Sequence, residues 1–118
     1  WSKIADEGTR SYQRCYGPPF LLQISGSGLV APCGMLFNDQ YKKFHMGNIV
    51  TERFKDIYNS DRYWEVINYL ASPDFNAQVM CGTLCLQHKV NEYLDGVKKG
   101  QVAVHKPAGA TPEHLNFV

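Results

Sequence analysis

The chain has no excess of charge of either sign. Twelve Lys and Arg stand against eleven Asp and Glu, a formal net charge of +1. That balance gives no electrostatic case for nucleic acid or an anionic membrane as partner. No apolar run approaches the ~18 residues of a membrane span, and no signal peptide is visible, so no membrane partner is expected and the expected location is cytoplasmic. Cysteine is scarce, at four residues. No nucleophile–base pairing or loop signature marks a stand-alone enzyme. The chain also opens on Trp1 rather than Met, which reads as a piece of something longer.

What is present suits one globular domain. The 118 residues are 44% hydrophobic and 19% charged, enough to bury a core without covalent staples. Gly17, Pro18 and Pro19 form a breaker cluster just after Cys15. "FLLQIS" (20–25), "GSG" (26–28) and "LVAPCGMLF" (29–37) then read as strand, tight turn and strand, because glycines take the positive φ that a hairpin turn demands. "YKKFHMGNIV" (41–50) adds a third short strand ending at Gly47.

Helical spacing takes over at Thr51, the expected N-cap of "ERFKDIY", with Phe54, Ile57 and Tyr58 on one face. Ser60 or Asp61 caps a second helix that carries Tyr63, Val66, Ile67 and Leu70 along one stripe, and Pro73 stops it. "PDFNAQVM" (73–80) reads as a loop. From Cys85 onward Leu86, Val90, Tyr93, Leu94 and Val97 share one helix face, ending near Gly96 or Gly100. The expected class is α+β: a small N-terminal β-hairpin, or three short strands, then a few α-helices, closing on a four-cysteine site.

The cysteines carry the chemistry. Seventeen residues separate Cys15 from Cys33, yet a hairpin folding at Gly26–Gly28 brings the two together. Cys81 and Cys85 flank three residues ahead of a helix N-terminus, where backbone N–H groups favour thiolates. Two pairs of soft sulfur ligands suit a buried iron–sulfur cluster or a structural zinc, and disulfides suit this composition less well. Zinc sites commonly use two short knuckles, and only Cys81 and Cys85 form one. Around a single zinc the sulfurs crowd to roughly 3.8 Å from one another, whereas around a cluster they stand further apart. Phe20, Leu22, Met35 and Leu84 are the expected apolar shield.

Other features have plainer readings. His88 is a candidate ligand or hydrogen-bond donor, but a helix-surface role is commoner; His45, His105 and His114 carry weaker cases. Phe54, Tyr58, Tyr63, Trp64 and Tyr69 fall at helical spacing and read as core and interface rather than a stacking platform. Gly26 and Gly28 read as a turn rather than a phosphate loop, for no helix follows. Asp61 and Glu65 read as a solvated helix face.

Cys15, twelve residues, Gly28, four residues and Cys33 together resemble the opening motif of the SPASM and Twitch domains of radical SAM enzymes. "GNI" (47–49), the "ERFKDIYNSDRYWEV" helix pair and the closing Cys81 and Cys85 extend the resemblance over roughly 15–96. It implies an auxiliary [4Fe–4S] cluster held by Cys15, Cys33, Cys81 and Cys85, with zinc the alternative metal in a structural or protein-interaction module. A full SPASM domain has seven cysteines and two clusters, so a single-cluster, Twitch-like version is the better likeness. The CxxxCxxC motif that cleaves SAM is absent, since His88 stands where its last cysteine belongs. The resemblance therefore implies an auxiliary domain, not catalytic alone, that relays electrons or positions substrate. Its partner is the radical SAM barrel of the same parent chain, with a peptide or small-molecule substrate left open. On this reading 1–14 is a lead-in from the upstream barrel, 15–100 the cluster-binding domain and 101–118 a C-terminal tail.

Overall fold

The computed structural model describes residues 10–82, 85–105 and 109. Three short strands come first: β1 (Gln23–Ile24), β2 (Leu29–Ala31) and β3 (Gly47–Asn48). They form an antiparallel sheet in the order β1-β2-β3, with Gln23 opposite Ala31 and Val30 opposite both Ile24 and Gly47. Helices follow, so the class is α+β as expected.

The β1–β2 turn depends on Gly28. Its φ is +84°, and a Cβ there would lie 2.7 Å from Asn48 Oδ1, so both the backbone and the space exclude a larger residue. The strands are shorter than the apolar pattern suggests. Pro32 has no N–H to extend the β2 ladder, and Cys33 therefore lies beyond the strand rather than on it. It is the extended residue that precedes a 3-10 turn, Gly34–Leu36. The stretch expected to lead into the third strand is itself largely a 3-10 helix, Asp39–Phe44, and β3 begins only at Gly47.

Among the described residues the helices are α1 (Phe54–Tyr58), α2 (Asp61–Leu70), α3 (Ala77–Met80) and α4 (His88–Lys98). Thr51 does not cap α1, which starts after Arg53. The Asn48 carbonyl instead accepts from the N–H groups of Thr51 and Glu52, at 3.2 and 2.9 Å, holding that stretch in a turn. Ser60 caps α2 by accepting the Tyr63 N–H at 3.2 Å, and Tyr63, Val66, Ile67 and Leu70 are buried as the stripe requires. The stretch before Cys81 is not all loop: Asn76 accepts the Gln78 N–H and opens the single turn of α3.

The core joins Val30 of the sheet and Phe44, Met46 and Ile57 to the α2 stripe, with Tyr12 and Phe75 packed in. Tyr12 is 1% exposed although its neighbours in sequence are polar. Phe44 meets Phe75 edge-on, with ring centroids 6.4 Å apart. Of the five helix aromatics only Tyr63 is fully buried; Phe54, Tyr58, Trp64 and Tyr69 keep an exposed edge. No helix among the described residues is long and apolar enough to cross a membrane.

Candidate metal centre

Four chain segments deliver the cysteines. Cys15 is pinned by its backbone N–H to the carbonyl of Leu70 at 2.9 Å, which gives a partner to one of the unpaired carbonyls at the end of α2. Cys33 leaves β2. Cys81 is the C-cap of α3, its N–H donating to the Ala77 carbonyl at 3.2 Å. Cys85 precedes α4, and its carbonyl accepts the His88 N–H at 3.2 Å.

All four cysteines line one cavity. Its walls are apolar, made by Pro18, Pro32, Met35, Leu36, Leu70, Phe75 and Met80, and Gln87 is the polar exception. Met35 thus takes the shielding role expected of it. Phe20 does not, being 64% exposed, because the turn at Gly17 points that stretch outward: the Phe20 and Leu21 N–H groups both return to the Gly17 carbonyl. Leu22 packs against the core, and Leu84 lies outside the described residues. All four thiols are free. Among the described residues no three His, Cys, Asp or Glu side chains meet where a single metal ion could sit.

The two most deeply placed polar side chains of α4 and its N-cap serve this cavity. Asn91 and Gln87 are each 1% exposed. Asn91 Oδ1 accepts the backbone N–H groups of Tyr16 and Gly17 at 2.6 and 2.8 Å, and its Nδ2 donates to Cys15 Sγ at 3.3 Å. Gln87 Nε2 donates to the carbonyls of Leu21 and Pro32 at 2.9 and 2.7 Å, and its Oε1 accepts the Cys15 thiol at 3.4 Å. One side chain thereby ties the Cys15 loop to the residue before Cys33. The approach is close enough that a Cβ on Gly17 would stand 2.7 Å from Gln87 Oε1. Helical periodicity pointed to Leu86 and Tyr93 for the inner face, but these are 62% and 47% exposed.

His88 is engaged outside the cavity wall. Its Nδ1 shares a 2.9 Å hydrogen bond with the hydroxyl of Tyr12, and it does not line the cavity. His45 bonds the Leu36 carbonyl through Nε2 at 2.7 Å. His105 is exposed, and His114 lies outside the described residues. Glu65 pairs with Arg62 at 3.8 Å on an exposed helix face.

Burial favours the neutral form of the Cys15, Cys33 and Cys81 thiols. It raises Cys15 from an ordinary 9.0 to about 11, against the opposing hydrogen bond from Asn91. It raises Cys33 against the Met35 backbone N–H, and Cys81 to about 12 against the charge of Arg10. Thiolate–thiolate repulsion adds to each. Between pH 9 and about 12 the unfolded chain therefore holds fewer protons than the native one, so stability falls as pH rises. The contribution is whole below pH 9 and lost as pH climbs through 11 to 12. The reduced, metal-free chain should show a lower urea midpoint at pH 10 than at pH 8, with a smaller drop in Cys15→Ser. Equal drops in the two would mean that Cys15 is as accessible to water as in the unfolded chain.

The donor set fits a multinuclear iron–sulfur group. Thiolates are its usual ligands, the walls are mostly apolar, and an amide N–H already points at one sulfur. The family model described as SPASM, iron–sulfur cluster-binding domain, matches residues 15–86. That span is more than half of the chain and includes all the cysteines. No curated protein and no solved structure matches the chain.

Proposed function

The chain belongs to the SPASM family of iron–sulfur cluster-binding domains, and from that premise we propose that Cys15, Cys33, Cys81 and Cys85 hold one auxiliary [4Fe–4S] cluster of a radical SAM enzyme. The observation that carries the reading is the single apolar cavity that all four thiols line. The seventeen residues between Cys15 and Cys33, where a zinc site commonly has a second short knuckle, support a cluster over a lone zinc. Bound there, the cluster supplies a one-electron couple for relay to or from substrate, or a fixed surface on which substrate is positioned.

The chain's own part is to exclude water and hold the sulfurs. Pro18, Leu36, Leu70 and Phe75 line the cavity. Asn91 and Gln87 lock the Cys15 loop to the segment leaving β2. SAM cleavage falls to a barrel of the parent enzyme, because no CxxxCxxC triad stands in this sequence. The cytoplasm is the proposed location, since free thiols and their clusters persist where thiols stay reduced.

The test is anaerobic reconstitution with ferrous iron and sulfide. The expected product is brown, with about four iron and four sulfide per chain. Zinc that survives purification and supports folding, with no uptake of iron, would replace the cluster with a structural zinc held by the same four cysteines.

A further inference from the structure

Among the described residues Arg10 is the one charged side chain that is buried, at 7% exposure. One guanidinium nitrogen donates to the carbonyl of Gly82, the residue after Cys81. Its Nε is buried with no hydrogen-bond partner. None of the ion pairs among the described residues includes it. The segment is anchored, because the Arg10 carbonyl accepts Gln78 Nε2 at 2.6 Å and the Gln13 carbonyl accepts the Ala77 N–H at 2.6 Å. A buried cation with no counter-charge among the described residues is costly, so its place beside Cys81 calls for an anion there. Neutral thiols do not provide one. Metal binding does, because each ligating cysteine gives up its proton.

We propose that Arg10 is the counter-cation of the loaded four-cysteine centre and raises its reduction potential. The inference rests on the cluster reading above. Reduction adds one electron to a centre that is already anionic, and a fixed cation stabilises the reduced state more than the oxidised one. The bond to Gly82 holds that charge in place beside the ligand. Arg10 does not donate to a sulfur, so it acts on the centre through its field.

The test compares the reconstituted chain with Arg10→Gln and Arg10→Lys, each titrated with dithionite through redox mediators and followed by EPR, with iron counted in parallel. In Arg10→Gln the reduced-to-oxidised ratio at a fixed potential should fall about tenfold, ~59 mV for a one-electron couple. Arg10→Lys, which keeps the charge, should stay close to the parent. Loading of Arg10→Lys but not Arg10→Gln would also support the inference, as a need for the charge itself. Two outcomes overturn it while leaving the cluster reading intact: an unchanged potential in Arg10→Gln, or failure of both variants to load. A parent chain that takes up no iron overturns the cluster reading, and this inference with it.

Discussion

Cys33→Ala should leave the chain without its cluster, while His88→Ala should keep it. Cys33 stands where the chain leaves β2, in an extended conformation with φ −158° and ψ 166°. Its carbonyl accepts the Leu36 N–H at 3.1 Å, so the backbone on both sides of the thiol is committed. The substitution therefore removes a ligand without giving the chain a way to bring another. His88 stands three residues after Cys85, but its Nδ1 is engaged by Tyr12 at 2.9 Å. Losing the imidazole strips the buried Tyr12 hydroxyl of that partner and should lower stability by about 1–3 kcal/mol. Iron should follow a different order. Loss of a group outside the ligand set typically weakens metal binding by roughly 10–100-fold, and loss of a ligand by more. Iron and acid-labile sulfide per chain after anaerobic reconstitution decide the matter. Equal losses in the two variants would show that the ligand set is wrong.

The cysteine frame was legible in the sequence because soft ligands are rare and their spacing is informative. Gly28 marked the turn that returns the chain from Cys15 toward Cys33, and the structure gives it both a positive φ and no room for a Cβ. Ser60 and the Tyr63–Leu70 stripe marked α2 for the usual reasons of capping and period. What escaped was set by tertiary contacts. α3 spans four residues, too few to show any period. Tyr12 and Arg10 sit in a polar stretch, and nothing local says that α2, α3 and Gly82 will meet them.

The inner face of α4 escaped for a sharper reason. Periodicity counts apolar residues, and the side chains buried there are polar ones whose hydrogen bonds compensate for their burial. Gln87 and Asn91 are one helical turn apart, a spacing that becomes a signal once Cys85 is suspected as a ligand. The strands are shorter than the apolar runs because Pro32, with no N–H, ends the β2 ladder at Ala31.

Asn91 offers a variant pair that separates holding the loop from holding the metal. Its amide orientation follows from its partners. Two backbone N–H groups, of Tyr16 and Gly17, can only donate, so the atom facing them must be the oxygen, and the nitrogen faces Cys15 Sγ. Asn91→Leu removes both functions. Two N–H groups lose their acceptor, one of them fully buried, and the apo domain should lose about 2–6 kcal/mol at ~1–3 per orphaned group. Asn91→Asp keeps one oxygen on the two N–H groups, so the loop should hold. Its other oxygen, however, now faces the Cys15 sulfur where a donor stood. A carboxylate there repels the thiolate that metal binding requires, and iron affinity should fall roughly 10–100-fold with the fold intact. Urea unfolding of the apo forms, set beside competition for iron with a chelator, reads the two effects separately. If Asn91→Asp holds iron as tightly as the parent chain, the bond from Nδ2 to Cys15 contributes nothing to the centre, and Asn91 serves only the loop.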